Sequence, residues 1–366
     1  PLGGPEAVGE VLADSLALSG EVDIDFITSV EGLKEYRTRT TPAGVKVHLL
    51  PFYGRYLSLT KFFVDRRRIQ RVIREIRPDI VHVHTTIMYA YSALERGYPS
   101  VLAIRGLAQR EAPLEQGISK IRMSRFTVEF ERDALRRAKN IICLNRYTSS
   151  FIEDQVRDPR IRYIDNPADD SFFDIVNDEE EGRILLLAPV RRLKGHEFAV
   201  QAAAELKAQG RRFNLYLVGP PMDPTYLVEV KSMVDALGLS DCVHIEDNAP
   251  RSAVREHYSK ASVVVLPSLV ENAPLVVSEA MAAGKAIVAT PAGGVAEMIG
   301  DGRTGIIVPM KDSSAIAEAV GRLLDSPQAR QDMGVAAKLV AEQRFRKEVS
   351  VQKTLAFYKE ILGLCD

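Results

Sequence analysis

Two textures alternate along this chain. Short runs rich in valine, isoleucine and leucine predict strands buried on both faces, and the longer stretches between them, with apolar residues at helical spacing, predict helices. A first series of strands is expected at Asp23–Ile27, Val45–Leu50, Ile80–His84, Ser100–Ile104, Ile141–Leu144 and Arg162–Ile164. A second is expected at Ile184–Leu187, Asn214–Val218, Val243–Ile245, Val263–Leu266, Ala286–Ala289 and Gly305–Val308. Alternation of this kind builds parallel sheets covered by helices. Between the series lie Asn166–Asp170 and the acidic Asp178–Gly182, a Pro-containing, charged and weakly apolar stretch that reads as a linker. The pattern predicts an α/β chain of two doubly wound, Rossmann-like domains, 1–166 and 167–346, facing a central cleft. Ligands of such sheets sit beyond the carboxyl ends of the strands, so the loops after strands are where chemistry is sought.

At 366 residues, 46% hydrophobic and 27% charged, the chain is long enough for two cores and has not the composition of a disordered polymer. No apolar run approaches the roughly 20 residues that span a bilayer, and no charged start with an apolar centre marks a signal peptide. Cys143, Cys242 and Cys365 lie far apart and form no CxxC pair, which argues against a disulfide framework or a thiolate zinc site and for a reducing, cytoplasmic setting. The net charge of −1 conceals a split: residues 1–165 carry 26 Lys and Arg against 21 Asp and Glu, leaving 22 against 28 of the totals 48 and 49. Halves of opposite sign argue against a chain-wide nucleic-acid footprint. The richest basic stretch, Lys61 to Arg77, is expected to be helical with its charges spread around the axis.

The opening Pro1-Leu2-Gly3-Gly4-Pro5 feeds a helical pattern from Ala7 to Leu18, so Gly3 and Gly4 offer close backbone approach and free N–H groups to an anion. No GxGxxG follows a strand anywhere, against a dinucleotide-dependent dehydrogenase. The sharpest constellation is Pro267-Ser268-Leu269-Val270-Glu271-Asn272-Ala273-Pro274-Leu275-Val276-Val277-Ser278-Glu279-Ala280-Met281. A strand ends at Leu266, a loop carries Glu271, and Pro274 suits the first turn of a helix. The amides of Asn272, Ala273 and Leu275 would face the cleft, and Glu279 lies about one turn inside the helix. Carboxylates accept hydroxyls and helix starts favour phosphates, so the pair suits a ligand with both, such as a nucleotide sugar.

Downstream runs Ala283-Gly284-Lys285-Ala286-Ile287-Val288-Ala289-Thr290-Pro291-Ala292-Gly293-Gly294-Val295-Ala296-Glu297. Here the chain resembles the retaining nucleotide-sugar glycosyltransferases of the GT-B fold, family 4. Their Glu-x7-Glu motif is matched by Glu271 and Glu279, the segment EAMAxGxPVVAT by Glu279 to Thr290, Gly-Gly-x-x-Glu by Gly293, Gly294 and Glu297, and GxxGxLVP by Gly302, Gly305 and Val308-Pro309, over about forty residues in order. The resemblance implies that Glu271 and the backbone of Asn272, Ala273, Pro274 and Leu275 hold the donor sugar and its phosphate while Glu279 holds the ribose. The family's Gly-Arg-x4-Lys-Gly aligns on Lys194-Gly195 with Pro189 where its Arg would stand, so Arg191 or Arg192 would join Lys194 in neutralising the leaving diphosphate. Gly219, after the strand ending at Val218, and Asn248, near the base, are expected donor contacts, with Asp247 where relatives carry Gly.

In the first half, Asp79-Ile80-Val81-His82-Val83-His84 places both histidines on one strand face. No further metal ligands stand out beside them, and family members need no metal, so none is expected, nor any cofactor. Relatives often end this strand in a cleft histidine, here His84, and their other cleft histidine falls on Arg105 of Arg105-Gly106-Leu107. Arg105 would stabilise phosphate or acceptor charge rather than act as a base. Relatives also carry a strand before their Gly-Gly loop, and residue 1 here is proline rather than methionine; a trimmed beginning and an unpaired edge inside the first sheet are expected. A terminal helix, Lys347 to Leu362, is expected to cross back onto the first domain, making that domain 1–166 with 347–366.

The resemblance thus implies a retaining transferase that moves sugar from a UDP- or GDP-linked donor to an acceptor glycan or lipid-linked sugar. The basic segment 61–77 would meet anionic lipid at the inner membrane face. A nucleotide-sugar epimerase or a silent nucleotide-sugar-binding module are the competing readings.

Overall fold

Backbone packing divides the chain into two units, Pro1–Asn166 with Lys347–Asp366, and Pro167–Arg346. The computed structural model describes residues 5–53, 62–94, 97–111, 118–247, 249–300 and 302–364. Gly3, Gly4 and Asn248 lie outside them.

In the first unit, α1 (Pro5–Leu18) leads to β1 (Asp25–Val30), β2 (Arg37–Thr40) and β3 (Lys46–Pro51). Then come α2 (Phe63–Ile76), β4 (Val81–Val83), α3 (Met88–Leu94), β5 (Ser100–Ile104), α4 (Ala108–Glu111), α5 (Ile118–Arg137), β6 (Asn140–Cys143), α6 (Arg146–Ile152) and β7 (Arg160–Tyr163). β3 pairs parallel with β1 and antiparallel with β2, and β4-β5-β6-β7 form a second, parallel sheet. The hydrophobic pattern does not signal β2: its residues Arg-Thr-Arg-Thr are all exposed, an edge strand carried by its ladder rather than by burial.

Helix α2 carries its basic residues on more than one side. Ile69, Val72 and Ile73 are buried against Leu50 and Met88, and Arg67, Arg71 and Arg74 line up at i, i+4 and i+7 on the exposed side. Arg66 instead lies over the Tyr91 ring and Arg68 over the Tyr53 ring, so the charges spread around the axis with three of them on the exposed side.

The second unit runs β8 (Arg183–Leu187), α7 (His196–Ala208), β9 (Asn214–Val218), α8 (Pro224–Ala236), β10 (Val243–Glu246), α9 (Arg251–Lys260), β11 (Val263–Leu266), α10 (Leu275–Ala282), β12 (Ala286–Ala289), α11 (Val295–Met298), β13 (Ile306–Ile307), α12 (Ser313–Asp325) and α13 (Pro327–Arg344). Its six strands form one parallel sheet ordered β10-β9-β8-β11-β12-β13. In β11, Val263 and Val265 pack on one side with Val200, Val230 and Val320, while Val264 and Leu266 pack on the other with Tyr258, Met281 and Phe345. Both faces being covered explains an unbroken apolar run, each such side chain contributing about 1.5–3 kcal/mol. Helix starts are marked by side-chain caps, Asp223 ahead of Pro224 and Asp312 ahead of Ser313.

The acidic stretch 178–182 is not a free linker. Asp178 and Glu180 donate backbone N–H groups to Ser259 and Lys260, Arg330 clasps Glu179, and the buried Lys285 ammonium donates to Ser259 O, Ala261 O and Asn177. Burial lowers the Lys285 pKa to about 8.

The last helix, α14 (Lys347–Leu362), belongs to the first unit, where Val351, Leu355 and Tyr358 pack with Leu12 and Leu16 of α1 and with Val101, Ala103 and Ile142. Between β1 and β4 lies a cavity of about 650 Å³, lined by the stretches Asp23–Thr28 and Pro78–Thr85 together with Leu12, Leu16 and Leu355. Among the described residues β1 pairs only with β3, and β4 only with β5, so each keeps an unpaired edge on that space.

Candidate functional site

Three loops meet at the carboxyl ends of three adjacent strands of the second unit: Ala188–Gly195 after β8, Pro267–Pro274 after β11 and Thr290–Gly294 after β12. Backbone contact fixes them to each other. Leu269 N–H donates to Leu193 O at 2.8 Å, and Gly294 N–H to Asn272 O at 3.0 Å. Gly195, at φ +65°, packs so closely that a Cβ there would lie 2.2 Å from Pro267 O, and a Cβ on Gly293, at φ +59°, would lie 2.0 Å from Glu271 O. Only glycine allows this assembly at both points.

Glu271 is the centre of the arrangement. Its Oε1 accepts from Lys194 Nζ at 2.6 Å and from Ser268 Oγ at 2.8 Å, with side-chain exposures of 7% for Glu271 and 19% for Lys194. Oε2 is left as the oxygen that can take a further hydroxyl. Sequence reasoning passed over Ser268. It also passed over Thr290, wholly buried, which donates its hydroxyl to Ser268 O. The signal available was a hydroxyl side chain within two residues of the ends of two buried strands, β11 and β12.

Helix α10 begins one residue later than expected: Pro274 is its extended N-cap, at φ −68° and ψ 128°, and Leu275 is the first helical residue. The amides of Ala273 and Leu275 donate to no described residue, so they have the orientation of orphan donors at a helix start. Glu279, one turn on, accepts from the hydroxyl of wholly buried Tyr258 at 3.0 Å. Burial and the Glu279 charge push the Tyr258 pKa well up, so the phenol keeps its proton and orients the carboxylate.

Of the two candidate arginines, Arg192 is committed elsewhere, to an exposed ion pair with Glu229 beside the Tyr226 ring. Arg191, half-buried, makes no ion pair among the described residues. The N–H of Gly219 donates to Glu246 O at 2.9 Å, so any donor contact there would be made by its Cα or carbonyl.

In the first unit, His84 and Arg105 follow the neighbouring strands β4 and β5. Arg105 Nε and Nη2 both reach His84 Nδ1 at 3.3 Å, so Nδ1 accepts and the ring proton sits on Nε2. The ring of His84 stacks on that of His82, centroids 4.3 Å apart, and His82 Nδ1 lies 2.6 Å from Tyr358 OH. Burial, then the Arg105 charge, lowers the His82 pKa to about 3; burial, His82 and Arg105 hold His84 well below its usual range. Burial lowers the Arg105 pKa to about 10, which leaves it charged at neutral pH. Both rings are therefore neutral there, and His84 is an oriented hydrogen-bonding group rather than a cation.

A pH dependence follows. Unfolded histidine binds a proton below about 6.5 whereas folded His82 does so only near 3, so stability is full above pH 6.5 and falls as the pH drops towards 3. Urea titrations at pH 7, 6 and 5 should show a loss of about 1.4 kcal/mol per unit for this group below pH 6, and His82→Phe should flatten that slope. An unchanged slope would show that His82 is not held neutral.

Among the described residues no group of three or more His, Cys, Asp or Glu is placed to hold a metal ion, and no helix is long and apolar enough to cross a membrane.

Residues 2–172 match the family described as Glycosyltransferase Family 4, and residues 168–340 match Glycosyl transferases group 1. The alpha-D-kanosaminyltransferase of Streptomyces kanamyceticus is 31% identical over 179 residues, covering 49% of this chain and 45% of that protein. The chain thus spans under half the length of that relative. Among solved structures, sucrose-phosphate synthase from Thermosynechococcus elongatus aligns at a TM-score of 0.85 with 19% identity, over 99% of this chain and 94% of that one. The Anabaena HepE protein, crystallised with UDP, aligns at 0.70 with 18% identity, over 87% of each chain. These likenesses give the two Rossmann-like units the GT-B fold. With adjoining family matches running from residue 2 to residue 340, and the paired glutamates flanking the start of α10, the chain belongs to family 4 of the glycosyltransferases, group 1.

Proposed function

We propose that this protein transfers a glycosyl unit from a nucleotide-diphosphate sugar to an acceptor hydroxyl, with retained anomeric configuration. The observation that carries the reading is Glu271, fixed through one oxygen by Lys194 and Ser268, next to the open amides of Ala273 and Leu275. Glu271 Oε2 accepts sugar hydroxyls, the amides take the phosphate, and Glu279, held by Tyr258, takes the ribose. As the bond from the anomeric carbon to the diphosphate oxygen breaks, its electron pair stays on that oxygen. Lys194, Arg191 and the start of α10 meet the growing charge. The acceptor oxygen bonds to the same face of the sugar, and its proton leaves with the phosphate. On the acceptor side, Arg105 and His84 supply a cation and a neutral Nε2–H donor for a glycan or lipid-linked sugar. HepE's complex with UDP supports a uridine nucleotide as the first donor to try.

Because side chains and backbone supply the positive charge, no metal is assigned to the step. Nucleotide release from UDP-glucose, UDP-N-acetylglucosamine, GDP-mannose or ADP-glucose should proceed equally with and without EDTA, and NMR of the product should show the donor's anomeric configuration. Failure of UDP, GDP and ADP alike to bind in calorimetry would end the proposal.

A peripheral membrane contact is also proposed, carried by the Arg67, Arg71 and Arg74 stripe of α2 beside exposed Phe63 and Val64. Each basic residue near an anionic surface contributes about 1 kcal/mol. Vesicles of phosphatidylglycerol should sediment the protein at low salt and release it when all three arginines are changed to glutamine. No binding by the unaltered chain would remove the proposal.

A further inference from the structure

The carboxylate of Glu131, on α5, is wholly buried, yet no Lys, Arg or His pairs with it among the described residues. Its three donors come from two separate segments. Thr86 Oγ1 donates to Oε2 at 2.8 Å, Ala108 N–H to Oε2 at 2.8 Å and Gln109 N–H to Oε1 at 3.1 Å. Thr86 stands two residues after His84, and Ala108 three residues after Arg105. Burial raises the Glu131 pKa and these hydrogen bonds oppose that rise.

A buried carboxylate without a cation is costly, and a well-packed apolar residue at this place in α5 would be cheaper for stability alone. What Glu131 provides is a tie between the turn after β4 and the start of α4, the two segments on which His84 and Arg105 are carried. We infer that Glu131 is a positioning residue for transfer: by binding Thr86, Ala108 and Gln109 at once, it sets the spacing at which Arg105 meets His84. This rests on the acceptor-side roles proposed above for Arg105 and His84.

Glu131→Gln preserves shape but turns one terminal atom into a donor aimed at a backbone N–H, so the tie must loosen. Turnover of the donor that the unaltered protein accepts should fall about 100-fold, as displacement of reacting groups by an ångström does. The affinity for UDP, read by calorimetry, should stay within about twofold, since the donor loops lie in the other unit. Arg105→Ala should show a comparable loss, and the double variant should lose little beyond the larger single loss, because both act through one group. Multiplying losses would overturn the inference, as would unchanged turnover in Glu131→Gln. If Arg105→Ala itself keeps full turnover, the acceptor-side reading fails first and the inference with it. Hydrogen exchange supplies a readout independent of turnover: faster exchange confined to residues 84–87 and 105–110 supports the tie, and unchanged exchange there refutes it. Should Glu131→Gln not fold, Thr86→Val removes one of the three bonds and serves in both experiments, with the same outcomes deciding.

Discussion

Glu271→Ala should lower turnover by about 1000-fold or more, the scale on which a charged group aimed at the reacting centre acts. The substitution removes the acceptor oxygen for the donor sugar and also leaves Lys194, whose side chain is 19% exposed, without its partner. Glu271→Gln separates the two effects. It keeps an oxygen for Ser268 but not the negative charge that places the Lys194 ammonium, so turnover should fall by an intermediate factor. Lys194→Ala should lose about 100- to 1000-fold in kcat, because its loss is felt most when charge builds on the departing diphosphate. Steady-state kinetics with UDP calorimetry would show this as a fall in kcat larger than the fall in nucleotide affinity. Unaltered turnover in both alanine variants would remove the second-unit loops from the chemistry.

Gly293→Ala should be as damaging to activity without touching any group that contacts substrate. Its φ of +59° is strained for alanine, and the added methyl would stand 2.0 Å from Glu271 O, so the loop carrying Glu271 must move. Left-handed strain alone costs about 1–2 kcal/mol, and the overlap with backbone adds to it. A loss near 3 kcal/mol in urea denaturation is expected, with turnover falling towards that of Glu271→Ala. Gly238→Ala is the matched control, since at φ +63° nothing lies within 4 Å of its Cβ. It should show the strain without the displacement, and keep turnover. Equal behaviour of the two variants would show that Gly293 does not hold the Glu271 loop.

The alternation of buried runs and helical stretches made the parallel sheets legible, because strands such as Ser100–Ile104 and Val263–Leu266 are apolar on both faces and cannot be mistaken for exposed segments. Arg37–Thr40 escaped for the converse reason: nothing about a fully exposed strand is written in its hydrophobicity. In the site, the spacing of Glu271 and Glu279 was readable because both lie on one loop and one helix. Their supports were not. Tyr258 comes from a helix 21 residues before Glu279, and Thr290 reaches Ser268 across 22 residues, so only the order of strands in the sheet brings them together. Arg191 and Arg192 are equivalent by composition, and it is Glu229, on α8, that draws Arg192 away. The helical character of 63–76 was apparent, yet which of its arginines stay exposed depended on what Leu50, Met88, Tyr53 and Tyr91 cover.

Helix α14 is last in sequence but packs with α1 and with strands β5 and β6. Residues 167–346 form a continuous stretch that draws on no later segment for its own interior. The interior of the earlier unit is thus completed only by the last helix, and Val101, Ala103 and Ile142 stay open on the side that α14 covers until it docks. Removing residues 347–366 should consequently leave that side exposed, read as added binding of an apolar dye by the shortened chain.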